Sequence, residues 1–254
     1  MDGGKDPIDI RSLHDRVYGR IRDAMRKGVF ISGQTLTIRA LAARFGTSDM
    51  PIREAIKRLT AEKALVQQAD RTFKVPPITS EGFEELVLVR VMTEGCATEL
   101  AAASLDAGLV GRLRTANAEM SRALEEGDLT LALESNQEFH SRLYEACDNK
   151  ILLEIIDLLW LRSGPYLAAL VLDLAGSDAF RAGAIIHDSI IDALEAGRGR
   201  DAAKALKNDI EGTAQWFRTH RAIDAKAGTP METKRRRRAS PSKPVIETKR
   251  PLSV

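Results

Sequence analysis

The sequence predicts a mainly α chain in two parts: a winged helix-turn-helix over residues 11–78 and an antiparallel all-helical bundle over residues 79–225. Three observations predict it. Two short amphipathic runs meet at Gly46, and two short strand-like runs follow them. From Ser80 to about Ala222 the apolar residues then keep a helical period almost without interruption.

The first helix rests on Leu13, Val17, Ile21 and Met25, which recur every four residues, and Gly28 is placed to end it. In the pair that follows, Leu41, Ala42 and Phe45 line one apolar face, and Ile52, Ala55, Ile56 and Leu59 line the other. Ser48 is placed to cap the second helix of the pair, and Pro51 suits its first turn. A second helix that opens with polar and basic residues after a tight turn can present its N-terminus to the DNA major groove. Ala64–Gln68 and Thr72–Val75 read as a hairpin around Ala69-Asp70-Arg71, whose basic tip can reach a groove or a phosphate.

Beyond Ser80, six helices are expected at about 80–104, 106–126, 128–147, 149–174, 177–196 and 199–221. Caps and stops come from Asp106, Gly127-Asp128, Asp148-Asn149, Gly176-Ser177 and Gly197-Arg198-Gly199. Gly164-Pro165 should kink or interrupt the fourth of them. Residues 1–10 form a flexible N-terminus, and the basic tail at 226–254 has no apolar period and should be disordered.

Charge separates these parts. The chain of 254 residues has a formal net charge of only +2. Residues 11–78 hold 14 basic against 6 acidic side chains, residues 79–225 hold 14 against 25, and residues 226–254 hold 9 against 2. A basic head and tail around an acidic middle points to nucleic-acid contact by the ends and another task for the bundle. The N-terminus carries no apolar signal segment, and Ile151–Trp160, the most apolar stretch, is short and interrupted by acids, so neither secretion nor a membrane span is indicated. Cys96 and Cys147 lack metal-type spacing and are expected to be reduced core thiols of a cytoplasmic protein.

The head resembles the DNA-binding domain of the GntR family of bacterial transcription factors. The resemblance lies in Gly28, Gly33, Leu36, Arg39, Leu41, Ala42, Ser48, Pro51, Ile52, Arg53, Glu54 and Ala55, which fall on that family's motif. It implies that Arg39, Arg53 and the residues opening the recognition helix (Ser48, Asp49, Met50) approach an operator, with Arg71 at the wing. Two positions depart from the pattern. Asp49 stands where the family often has Arg, and Met50 where it has Thr. Asp cannot donate to guanine, so the operator is expected to differ from the family's commonest one.

The middle resembles the FCD effector domain of the FadR branch of that family. The matching residues are Arg90 with Glu94, Ala101-Ala102, Asn136 with Phe139-His140, His187 and Asp209. The family's usual metal set is an Asp and a His four apart, with two further His about 22 residues apart. Here Asn136 replaces the Asp and Asp209 the last His. The remaining two-His, one-carboxylate set of His140, His187 and Asp209 suits a divalent metal, with zinc as the default and Asn136 as a weak fourth donor. Residues lining a metal-free ligand pocket are the plainer reading. The resemblance turns Arg90 toward an effector cavity, where it can clamp a carboxylate; a salt bridge to Glu94 is the alternative.

The expected function is a ligand-responsive transcription regulator, mainly a repressor, that binds a palindromic operator as a homodimer and senses a small organic acid. Two further readings are a metal-dependent hydrolase and an architectural DNA-binding protein. The first lacks a nucleophile motif or a recognisable general base, and the second leaves the acidic bundle without a purpose.

Overall fold

A computed structural model describes residues 10–106, 108–171 and 176–220; the basic tail predicted at 226–254 lies outside the described residues, as does the predicted flexible N-terminus except Ile10, which opens the first helix. In chain order the elements are α1 (Ile10–Arg26), β1 (Thr35–Leu36), α2 (Ile38–Phe45), α3 (Asp49–Ala61), β2 (Val66–Gln67), β3 (Phe73–Lys74), α4 (Ser80–Ala103), α5 (Leu109–Glu126), α6 (Leu129–Glu145), α7 (Lys150–Val171), α8 (Gly176–Glu195) and α9 (Gly199–His220). The protein is therefore mainly helical, a winged helix-turn-helix followed by a six-helix antiparallel bundle.

Local chemistry sets the boundaries. Thr37 caps α2 by accepting from the Ala40 amide at 3.2 Å, and Gly46 ends it in the left-handed region at φ 63°. Ser48 occupies the N-cap of α3, but its hydroxyl makes no capping bond, contrary to expectation. In the bundle Thr79, Asp128 and Asn149 accept from Gly82, Leu131 and Leu152 to start α4, α6 and α7. α5 begins at Leu109 rather than near 106; ahead of it the Asp106 side chain accepts from the Gly108 amide at 2.6 Å, a local bond that competes with an earlier helix start.

The three short strands form one antiparallel sheet in the order β1-β3-β2, with Leu36 opposite Phe73 and Gln67 opposite Phe73 on the other side. The strand before α2 was not foreseen. The hairpin between β2 and β3 turns at Asp70-Arg71, where Arg71 has φ 65° and the Asp70 carboxylate accepts from the amide and hydroxyl of Thr72.

Two cores result. Val17, Ile21, Met25, Leu41, Ile52, Ile56 and Leu59 form the smaller one, as their periodicity implies, while Phe45 is only partly buried. This core also takes Leu161 from α7, a residue of the bundle. The larger core runs from Phe83 on α4 to Phe217 on α9. Helix α7 links the two and runs through Gly164-Pro165 without a break, so of the expected kink or interruption the interruption does not occur. Gly164 lies directly against the carbonyls of Met25 and Arg26, and Pro165 O accepts from the Ser32 amide, so contacts with the winged domain hold this turn in place. Asp157 of α7 adds ion pairs with Arg22 and Arg26 of α1. Among the described residues no helix is long and apolar enough to cross a membrane. Cys147 is buried, but Cys96 is exposed on α4, which corrects the expectation of two core thiols.

Candidate functional site

Two sites emerge, one on each domain. On the winged domain, burial of Pro51, Ile52, Ala55, Ile56 and Leu59 turns the opposite face of α3 outward. That face carries Asp49, Met50, Arg53 and Lys57, all exposed, with the exposed Ser48 just before it. Exposed Arg39 opens α2, and exposed Arg71 tips the wing. Among the described residues Arg39, Arg53, Lys57 and Arg71 have no carboxylate partner. Four other cations of this domain are neutralised. Arg22 and Arg26 pair with Asp157, Lys27 with Asp23 and Glu134, and Arg58 with Asp15. Arg16, Arg20, Arg44, Lys63 and Lys74 likewise lack a carboxylate partner among the described residues, so the unneutralised positive charge includes the recognition helix, its partner and the wing without being confined to them, and phosphate contact requires such charge.

The second site is buried in the bundle. His140 from α6, His187 from α8 and Asp209 from α9 converge so that their ligating atoms all lie within 4.8 Å of one another. The spacings along the chain bring them together because α8 and α9 pack as neighbours while α6 closes the same cavity. The cavity beside them is lined by His140 and Asp209 with Arg90, Asn136, Trp160 and Gly183, and its volume is about 20 Å³. That is room for one or two water-sized groups, so an organic acid enters only if the lining side chains move. At Gly183 a Cβ would stand 3.1 Å from Asp209 Oδ1, so the glycine leaves that carboxylate space.

Hydrogen bonds determine which nitrogen of each imidazole faces inward. The Tyr144 hydroxyl donates to Glu94 Oε2 at 2.5 Å, so its oxygen accepts from His140 Nδ1 at 3.0 Å. The Asn117 amide donates to the Ala184 carbonyl and to Asp188 Oδ1, both at 2.9 Å, so its own oxygen faces His187 Nδ1 at 3.1 Å. Both rings therefore carry the proton on Nδ1 and direct Nε2 toward Asp209, at 3.3 Å from His140 and 3.9 Å from His187. His187 Nε2 is buried with no partner among the described residues. Burial pushes the His187 pKa down to about 3, so the ring is neutral. Burial on its own would raise the Asp209 carboxyl, but its contact with His140 and the charge of Arg90 outweigh it and keep the group below its ordinary value.

Two imidazole lone pairs aimed at one buried carboxylate repel it unless a proton or a cation lies between. This donor set fits a divalent metal, and the outer hydrogen bonds that the two rings donate to Tyr144 and Asn117 are of the kind that orients metal-binding histidines. Asn136 lines the same cavity one helical turn before His140. Sequence reading missed Asn117, Tyr144 and Trp160. A polar residue on the buried face of α5 and a tyrosine four residues after His140 were the available signals.

Arg90 is buried and does face the cavity, yet its fork is already engaged. Nε and Nη2 donate to the two Glu94 oxygens at 2.6 and 3.2 Å, and Nη1 donates to Tyr166 at 2.7 Å. The two sequence readings of Arg90 therefore coexist, and only the remaining N–H groups of Nη1 and Nη2 are available to a ligand. Burial disfavours the charge, but Glu94 more than compensates and holds the guanidinium pKa well above its ordinary value.

Comparison with known proteins agrees with both sites. Residues 13–75 match the family described as "Bacterial regulatory proteins, gntR family", and residues 85–212 match the FCD domain. The chain is 30% identical over 154 residues to the HTH-type transcriptional regulator McbR of Escherichia coli K12, spanning 61% of this chain and 70% of that protein. It is 29% identical over 209 residues to a Paenarthrobacter nicotinovorans protein named "Probable D-xylose utilization operon transcriptional repressor", spanning 81% of this chain and 90% of that one. In fold it is similar to the solved structure of E. coli McbR, with TM-score 0.77 at 24% identity over 82% of this chain and 98% of that one. A GntR regulator structure from Rhodococcus sp. RHA1 follows at TM-score 0.68 and 24% identity, over 83% and 100% of the two chains. These relatives are transcription regulators and not enzymes. The chain belongs to the GntR family of bacterial regulatory proteins, a DNA-binding transcription regulator whose bundle is an FCD domain.

Proposed function

We propose that the protein acts as a homodimer on a palindromic operator, usually repressing, and that a small carboxylate-bearing effector in the bundle cavity biases its affinity for DNA. The domains divide at about residue 78, with 11–78 reading DNA and 79–225 sensing ligand and dimerising. Arg39, Ser48, Asp49, Met50, Arg53 and Arg71 contact the operator. His140, His187 and Asp209, with Asn136 beside them, hold a divalent metal, for which zinc is the first choice on ligand type. When bound, the metal supplies a Lewis-acidic point for effector oxygens. The free N–H groups of Arg90 supply a second anchor.

One observation carries the ligand half of this reading. Tyr144 and Asn117 fix both imidazoles with Nε2 facing a buried carboxylate, and nothing else among the described residues partners His187 Nε2. The dimer half rests on the outer faces of α4 and α7. There Leu88 and Met92 are 61% and 65% exposed, and Ile151, Ile155 and Leu158 form a stripe at helical spacing. Such an apolar patch suits a second copy of the chain.

The test is zinc titration and elemental analysis of the untagged chain beside the His140→Ala/His187→Ala double variant, followed by a thermal-shift series with organic acids. The wild type should take up one metal per chain and the double variant none, with operator binding largely kept in both. Equal metal uptake by the two proteins would refute the metal site. An effector can act only through unequal affinity for the two DNA-binding states, so DNA must change effector affinity by the same factor.

A further inference from the structure

The outward face of α3 carries two residues that the phosphate-binding role does not use. Asp49, the first residue of the helix, is exposed and has no hydrogen bond or ion pair among the described residues. Its charge repels phosphate. Met50, next to it, is 59% exposed and belongs to neither apolar core. It shares this exposed side of the helix with Asp49, Arg53 and Lys57. Buried Ile52 and Ile56 fix the rotation of the helix, so 49, 50, 53 and 57 share one side.

The edges of the bases in the major groove offer a small set of complements. A carboxylate accepts only. Guanine presents two acceptors there and repels it, adenine pairs its one donor with an acceptor, and cytosine presents its amino group alone. The single apolar group in the groove is the thymine C5 methyl. We propose that Asp49 and Met50 set the base preference of each operator half-site, Asp49 accepting from a cytosine amino group and Met50 packing on a thymine methyl. This rests on the operator reading above and adds to it which bases are read and by which side chains. Arg53 and Lys57, on the same face, supply the positive charge that lets a carboxylate enter the groove.

The test uses the full chain and a duplex library of random sequence. Wild-type protein should enrich a motif in which each half contains a required cytosine and a required thymine. Replacing that thymine by deoxyuridine removes only the methyl, and should weaken wild-type binding by roughly 3- to 5-fold, the worth of one buried methyl group. The same replacement should change the affinity of Met50→Ala by less than about 2-fold. Asp49→Ala should lose the cytosine requirement, a discrimination of roughly 5- to 150-fold, and Asp49→Arg should exchange it for guanine. Both positions are exposed, so circular dichroism should show each variant folded. An identical motif from wild type, Asp49→Ala and Asp49→Arg overturns the role of Asp49. A wild-type motif with no thymine sensitive to methyl removal overturns that of Met50. No enriched sequence at all overturns the operator reading, and this one with it.

Discussion

Gly164 of α7 lies against Met25 of α1 so closely that a Cβ on the glycine would stand 2.1 Å from the Met25 carbonyl oxygen. Three residues earlier Leu161 enters the winged-domain core, and one position before that Trp160 lines the bundle cavity. Helix α7 thus touches the DNA-reading domain with one face and the ligand cavity with the other. Gly164→Ala cannot be accommodated without separating α1 from α7. It is expected to cost about 1–3 kcal/mol of stability, read by urea denaturation. Gly212→Ala is the control, since nothing stands within 4 Å of its Cβ, and it should stabilise α9 by about 0.5–1 kcal/mol. Equal stability for Gly164→Ala and wild type would contradict the close packing.

Asn117 holds the His187 tautomer without facing the ligand site's centre. Asn117→Ala should leave the fold in place and weaken zinc binding roughly 10- to 100-fold. Calorimetric titration of zinc into the two proteins measures it. Unchanged affinity would mean that the orientation of His187 is fixed by other contacts, such as its stacking on Phe139 at 3.8 Å.

Charges placed on the outer face of α4 should break the dimer. The pair Leu88→Glu and Met92→Glu replaces two exposed apolar side chains and disturbs nothing in the core. Sedimentation at micromolar concentration should find a monomer with normal circular dichroism. A dimer as tight as that of the wild type would place the interface elsewhere.

Tyr18 donates to Glu62, and burial followed by this hydrogen bond raises its pKa from 10.0 to about 12. The fold favours the neutral phenol. Its contribution to stability is therefore complete below pH 10 and lost as the pH climbs toward 12. The difference in absorbance at 295 nm between wild type and Tyr18→Phe should titrate near pH 12 in the folded protein. A midpoint near 10 would show the contact absent.

Much of this was legible in the sequence because it follows from local patterns. The four-residue spacing of Val17, Ile21 and Met25, the left-handed turn at Gly46, and the caps at Asp128 and Asn149 are each set by nearby residues. His140, His187 and Asp209 were found through the register they share with the metal set of the FCD domain, and the fold does bring them together. What escaped depends on distant partners. Pro165 stays within a helix because α1 and Ser32 support that turn. Leu161 reads like any apolar residue of α7, and only the fold sends it into the other domain. The salt bridge from Arg90 to Glu94 follows from their spacing, but its link through Tyr144 to His140 crosses two helices.

The proposal that two copies of this chain read one palindromic duplex through α3 is tested most directly by the stoichiometry and specificity of that complex. Sedimentation of the full chain with a labelled duplex enriched from random DNA gives both, with Arg53→Ala as the comparison. The expected result is two chains per palindromic duplex, with Arg53→Ala weaker by roughly 5- to 150-fold. One chain per duplex on a sequence without repeated halves, or equal affinity for a scrambled duplex, would contradict it.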